Sequence, residues 1–439
     1  MRKEIFRLSW PNIITNVTVP LIGIVDLSVL GHVDKNPALY IGAISLGGII
    51  FSFIYSGFSF LRMSTSGFTS QAYGKNNNQE IFYTFLRAII TALFIGGLLI
   101  IFKHKINNLS FYLLSGSSET EKISSQYFYI RILAAPATLS LSVIYGWFLG
   151  LQNAKIPMII SIVVNILNII FDIIFVRFFN LYSDGVAYGT LIAQYSGLIV
   201  AIFFLLKQNI LFNNIDIKIL FKIQKIKKFL SVNRDIFIRT ITLIFAISFF
   251  TNQSAKLGNN ILTVNTILLQ FLMFFSYITD GFAFAAEALA GKYYGKGDKK
   301  KLSLMINEIL KITATISLIF TIIFIIFGKN ILVIFTDNKN IITMCSNYIF
   351  WIYTIPVITF LSFIFDGIYI GTTQAKAMRN IMLISVFGVL VPEFYLLKNY
   401  MGNNGLWLSF MSFMLTRGAL SYLFYKKTVI KDFVNNKIN

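Results

Sequence analysis

The run Tyr73-Gly74-Lys75, at the end of a long apolar stretch, returns as Tyr294-Gly295-Lys296, 221 residues further on. The spaced set Tyr127, Gly146, Gly150 and Lys155 returns at the same offset as Tyr348, Gly367, Gly371 and Lys376. Apolar matches alone would carry little weight, because Ile, Leu and Phe dominate the whole chain. Gly, Tyr and Lys recurring in two separate runs at one constant offset mark an internal duplication. The chain reads as two like halves.

Its 439 residues are 56% hydrophobic and 13% charged, with a mean hydropathy of +0.72. Apolar stretches of about 20 residues fit the hydrocarbon thickness of a bilayer, so they read as spanning helices. Continuous apolar runs without alternation favour helices over strands. Arg2, Lys3 and Arg7 lead into a long segment without a small-residue cleavage site, so no cleaved leader is expected. The net charge of +20 sits in short loops rather than on one soluble face, which argues against nucleic acid as a partner. Cys345 is the single cysteine, and His32 and His104 fall in expected loops. Neither a thiol metal cluster, a metalloenzyme nor a Ser-His-Asp hydrolase can be assembled from these, and no cofactor is expected.

Helices are expected near 8–31, 39–72, 79–102, 121–149, 156–177, 185–207, 229–252, 260–291, 301–328, 343–371, 377–398 and 405–426. The second and eighth exceed one simple span, so they tilt or extend beyond the membrane. The expected fold is all-α and integral to the membrane, with twelve transmembrane helices in two six-helix lobes. Residues 1–207 form the N-lobe, 208–228 a basic cytoplasmic linker and 229–439 the C-lobe. The linker carries Lys218, Lys222, Lys225, Lys227 and Lys228 among apolar residues. It reads either as an amphipathic piece on the inner leaflet or as a solvated charged loop. With the N-terminus inside, most loop Lys and Arg fall on the cytoplasmic side, which places both termini there. Six spans per half give both halves one orientation, hence a pseudo-two-fold axis along the membrane normal. Membrane chains of this kind work by moving one half against the other around a central site, which points to transport.

Ionisable side chains at mid-bilayer are costly, roughly 2.5–3.5 kcal/mol on insertion scales, so those within spans are functional candidates. The acids among them are Asp26, Asp172, Asp280, Glu287, Asp366 and Glu393. Asp26 and Asp172 lie about five residues inside the outer ends of their helices, with Thr190 equally deep and Tyr127 about six, a common level at roughly 1.5 Å per residue. Asn165, Asn168 and Asp172 are spaced i, i+3, i+7 and share one helix face. Together they make a cation or proton site. Burial and a like-charged neighbour both disfavour a second negative charge, so one acid of the pair is expected to hold a proton. The same oxygens on Asp26, Asn168, Asp172 and Thr190 could instead ligate sodium; the bland alternative is interhelical hydrogen bonding alone. Pro11 and Pro20 allow the first helix to bend, Pro20 only six residues before Asp26.

The second half is no electrostatic copy. Glu393 falls at the repeat position of Asp172, but the position of Asp26 is taken by Ile247 or Ser248. Asp280, Glu287 and Asp366 read as interhelical anchors. Arg239 is expected to face the interior and pair with an acid, Arg234 and Asp235 to form a boundary salt bridge, and Arg417 has no evident partner. The 45 Phe and 21 Tyr could furnish an aromatic chamber for lipophilic cations.

Pro11, Ile24-Val25-Asp26 and Leu30-Gly31-His32 resemble the first helix of the multidrug and toxic compound extrusion (MATE) family. Asn168 with Asp172 is similar to its fifth helix, and Gly189-Thr190 to its sixth. Gln71 to Lys75 and Gly291 to Gly295 are similar to the exits of its second and eighth. Three stretches resemble its DinF-like branch: Asn233 to Arg239, Gly146 to Asn153, and Asp366-Gly367 through Gly371 to Met378-Arg379-Asn380. The resemblance implies a twelve-helix antiporter and an N-lobe pocket of Asp26, Tyr127, Asn168, Asp172 and Thr190. The acid that the NorM branch carries within helix 7 is missing here, where Asp235 lies near the helix end.

The expected function is therefore secondary multidrug efflux: export of organic cations and drugs from the inner membrane, by a monomer, in exchange for protons or sodium. A lipid-linked oligosaccharide flippase of the same superfamily is the alternative. A membrane-embedded enzyme is disfavoured, because a convergent nucleophile or metal set is missing.

Overall fold

In hydrocarbon a backbone must satisfy its own polar groups, and an apolar chain with few charges does so by coiling. The computed structural model describes residues 1–31, 33, 36–114, 116–208 and 216–430, with 19–22, 24 and 430 described by backbone alone. Among the described residues the chain is helical almost throughout and contains no strand. The first half comprises α1 (Arg2–Gly31), α2 (Pro37–Gly74), α3 (Asn78–Ile101), α4 (Ser118–Gly150), α5 (Lys155–Phe178) and α6 (Tyr182–Leu206). The second comprises α7 (Ile223–Lys256), α8 (Asn259–Lys296), α9 (Lys299–Phe335), α10 (Ile349–Gly371), α11 (Ala375–Met401) and α12 (Asn403–Tyr425). Ten of these regions are apolar enough to cross a membrane on composition; α1 and α12, carrying Asp26 and Arg417, complete the twelve-helix, two-lobe arrangement.

The duplication read from Gly and Tyr is a duplication of packing. In the first half α2 packs on α3 and α4, α3 on α4, α5 on α6 and α4 on α6. In the second, α8 packs on α9 and α10, α9 on α10, α11 on α12 and α10 on α12. A Cβ on Gly146 would strike the Arg62 carbonyl of α2, and a Cβ on Gly367 the Ala283 carbonyl of α8, again 221 residues on. Gly150 faces the Ser66 carbonyl and Gly371 the Glu287 carbonyl, at the same offset. These backbones meet too closely for any side chain, which explains why glycine recurs there. Helix starts follow the same register. The Asn77 side chain accepts from the Glu80 amide at the head of α3, and Asp298 accepts from Lys301 at the head of α9. Ser117 and Asn338 cap at the next repeat-related pair.

Several expectations need correction. The second helix breaks at Phe58–Ser59, just after Gly57, into Pro37–Gly57 and Phe60–Gly74; α8, with Ile278 at the position of Gly57, runs unbroken. Glycine is the weaker helix former and accounts for the difference. In α4 one 3-10 turn, Ile132–Ala134, precedes Pro136, which has no N–H for the Ile132 carbonyl. His104 lies not in a loop but in an extra helix, Lys103–Leu113, with Nδ1 3.2 Å from the Tyr129 hydroxyl. His32 and linker residues 209–215 lie outside the described residues. The rest of the linker is not one amphipathic element: Ile217–Leu220 is a single turn, and 223–228 already belong to α7.

By contacts the chain divides into two compact units, Ile14–Phe229 and Met1–Ile13 with Leu230–Asn439. One boundary therefore falls inside α1, after Pro11. In the second unit the start of α1 is held by Arg2 to Glu308 at 2.7 Å and by Glu4, whose carboxylate accepts from Tyr293 at 2.9 Å. Partial burial pushes the Glu4 carboxyl up, but Tyr293 and Lys292 together hold it below its ordinary range.

Candidate functional site

In the first unit, α5 presents Asn165, Asn168 and Asp172 along one face, as their spacing requires. Asn168 and Asp172 are buried. The Asn168 amide donates to Asp172 Oδ1 at 3.2 Å and reaches Thr190 Oγ1 on α6 at 3.4 Å. Gly189 makes room for this: a Cβ there would collide with Asp172 Oδ1. Asp26, on α1, lies close enough to Asp172 for the two carboxyls to act on each other. Two buried like charges disfavour one another, which favours a single proton held by the pair. Asp26 Oδ1, Asp172 Oδ2 and Asn165 Nδ2 are buried without a partner. Buried polar atoms are normally satisfied, so several orphans around one acid pair mark a place that exchanges a proton, ion or water.

Tyr127 on α4 is fully buried, and its hydroxyl accepts a hydrogen bond from Arg131, one turn on. Sequence reasoning did not single out Arg131. Its guanidinium lies 4.7 Å from the Phe51 ring centroid and 5.5 Å from that of Tyr127, in cation–π range of both. It also lies within electrostatic reach of Asp26 and Asp172. Gly47 leaves the space that the Tyr127 ring fills. The i, i+4 spacing of Tyr127 and Arg131, with Arg131 ten residues inside the expected helix 121–149, was the available signal. The structure thus gathers Asp26, Tyr127, Asn168, Asp172 and Thr190 in one cluster and adds a cation to them. α1 continues as helix through Pro20, whose side chain lies outside the described residues; Pro11 is buried.

The second unit buries a different set. Asp366 on α10 accepts from both Arg239 of α7 and Arg417 of α12, which supplies the partner that Arg417 lacked in the sequence. Asp280 of α8 acts electrostatically on both arginines. Near this charged group lies an apolar cavity of about 210 Å³, walled by Phe250, Phe363, Phe410 and Phe413 and ended by Arg417. Asp235 pairs with Arg379 at 2.6 Å as well as with Arg234 at 3.3 Å. Glu393 accepts from Ser412 at 2.9 Å, and Glu287 is fully buried within α8. None of these reproduces the acid pair. Among the described residues, His, Cys, Asp and Glu nowhere cluster in threes that could hold a metal ion.

Duplicated helical lobes with a polar cluster inside one of them define a membrane transporter. The MatE family model matches residues 11–174 and again 237–396, once in each half. DNA damage-inducible protein F of Escherichia coli (strain K12) is 33% identical over 418 residues, covering 95% of this chain and 90% of that one. A probable multidrug resistance protein, NorM of Thermotoga maritima, is 22% identical, covering 97% of this chain and 92% of the relative. A solved MATE structure in its straight conformation shares the fold at a TM-score of 0.88 and 18% identity, covering 99% and 97% of the two chains. The chain belongs to the MATE family, in its DinF-like branch, and is a multi-pass membrane protein.

Proposed function

We propose that this chain is a secondary antiporter that exports amphipathic, often cationic small molecules in exchange for protons passing through the N-terminal lobe. One observation carries the reading: the Asp26 and Asp172 carboxyls lie within each other's electrostatic reach in a buried cluster with Asn168, Thr190, Tyr127 and Arg131. Two buried acids so placed favour one proton between them. Arg131 is a fixed positive charge beside it, which disfavours sodium as a second resident cation. Likeness to a relative named for multidrug resistance supports the substrate class.

With the proton bound, Asp26 and Asp172 form one hydrogen-bonded unit that ties α1 to α5. When the proton leaves, two like charges within reach of each other repel, and the Asp26 end of α1 is released to bend, with Pro20 as the site where the helix ladder is already interrupted. An external proton restores the pair and substrate leaves outward; loss of that proton to the cytoplasm resets the cycle. The proton drives transport through its unequal affinity for the two states. The positive-inside bias supports cytoplasmic termini in the inner membrane. The protein works as a monomer, transports rather than catalyses, and needs no cofactor.

The test is transport of a cationic dye into the lumen of everted vesicles, whose outer face is the cytoplasmic one. An imposed pH gradient without sodium is expected to drive it; efflux that follows a sodium gradient and ignores pH refutes the proton reading. A lipid-linked sugar offered in place of the dye tests the flippase alternative in the same vesicles.

A further inference from the structure

At the end of the first unit away from Asp26, where α2 turns into α3, lies a cavity of about 130 Å³. It is lined by Lys75, Arg87, Lys225 and Lys228 against a single carboxylate, Glu80. Arg87, only 8% exposed, is fixed: its guanidinium donates to the Leu220 and Ile219 carbonyls at 2.9 and 3.0 Å and to Glu80 Oε1 at 3.1 Å. Lys225 takes the other oxygen, Glu80 Oε2, at 3.2 Å. Glu80 is thereby used up, and among the described residues neither Lys75 nor Lys228 has an acid partner. The head of α3, capped by Asn77, opens onto the same cavity with its positive dipole end.

The cluster is held in place by the chain itself. Lys225 and Lys228 sit one turn apart on α7, on one face. The segment before them is pinned to α3: the Asp216 amide donates to the Tyr83 hydroxyl at 2.9 Å, and Leu220 packs on Phe82 and Tyr83. A fixed site carrying four positive groups and one negative group is built for an anion with several oxygens. Its volume is well above the roughly 10–15 Å³ that one water needs. Beside it Ile217, Phe221 and Ile223 expose apolar side chains, the pattern of a segment at a bilayer surface.

We propose that this cavity is a phosphate-binding site, and that its phosphate is the headgroup of an acidic phospholipid held between Lys75 and Lys228. Free phosphate esters share the chemistry, and the test separates them. The purified full chain in mild detergent is titrated with short-chain phosphatidylglycerol, short-chain phosphatidylcholine, inorganic phosphate and glycerol phosphate. Phosphatidylglycerol is expected to bind in preference to phosphatidylcholine. Lys75→Gln or Lys228→Gln should weaken it about fivefold each and both together roughly thirtyfold, from the usual worth of one surface lysine facing an anionic headgroup. Lys75→Arg with Lys228→Arg should keep the binding, and Lys227→Gln, outside the cavity, should not change it. Equal binding of the soluble phosphates, lost in the double Gln variant, would keep the site and replace lipid by a soluble ester. Phosphatidylglycerol binding that the double Gln variant leaves intact, or that phosphatidylcholine matches, overturns the proposal. The assay needs no transport, so it stands or falls apart from the antiport reading.

Discussion

In the N-terminal lobe Gly146 lets α4 settle against the Arg62 carbonyl, and in the C-terminal lobe Gly367 lets α10 settle against that of Ala283. The contacts are the same, as are the helix caps at Asn77 and Asp298. The buried charge differs. One lobe sets two acids within each other's electrostatic reach beside one arginine; the other sets one acid between two arginines, near an apolar cavity. Packing of the backbone constrains glycine and caps in both halves alike, whereas the polar interior is free to diverge. Duplication preserved the scaffold and not the chemistry.

The comparison can be broken most decisively at Asp172 and its repeat mate, Glu393. Asp172→Asn is expected to bring dye efflux down to the level of empty vesicles, because the proton site loses one of its two acids. Glu393→Gln should retain most of the activity, since Glu393 accepts from Ser412 rather than sitting beside a second acid as Asp172 does. Equal losses in the two variants would mean that both lobes carry the coupling. A smaller effect sharpens the shared half of the comparison. Gly146→Ala and Gly367→Ala each force a methyl onto a backbone carbonyl, so each should destabilise its lobe by about 1–3 kcal/mol. Thermal unfolding in detergent that shows one tolerated and the other not would show that the two helix pairs are not equivalent.

Much of this was legible before any coordinates. Continuous apolar runs gave the helices, and constant spacing of Gly, Tyr and Lys gave the two halves. Depth along each helix grouped Asp26, Tyr127, Asn168, Asp172 and Thr190, because a rise per residue is nearly fixed in an α-helix. What stayed hidden depends on partners distant in sequence. Arg131 gains a role only when Tyr127 and Phe51 are seen to hold it. Arg417 finds Asp366 only through the packing of α12 on α10. The break after Gly57 was missed because apolar periodicity continues across it. The anion cavity escaped notice because its walls come from α2, α3 and the start of α7, which the sequence separates by some 150 residues.

The acid pair is most directly tested by counting protons on the purified transporter in weakly buffered detergent as a cationic substrate is added near neutral pH. The account predicts release of about one proton per substrate bound from the wild-type chain, in line with one proton shared by two carboxyls, and none from Asp26→Asn. Substrate binding without proton release in the wild type, or undiminished release from Asp26→Asn, would contradict it.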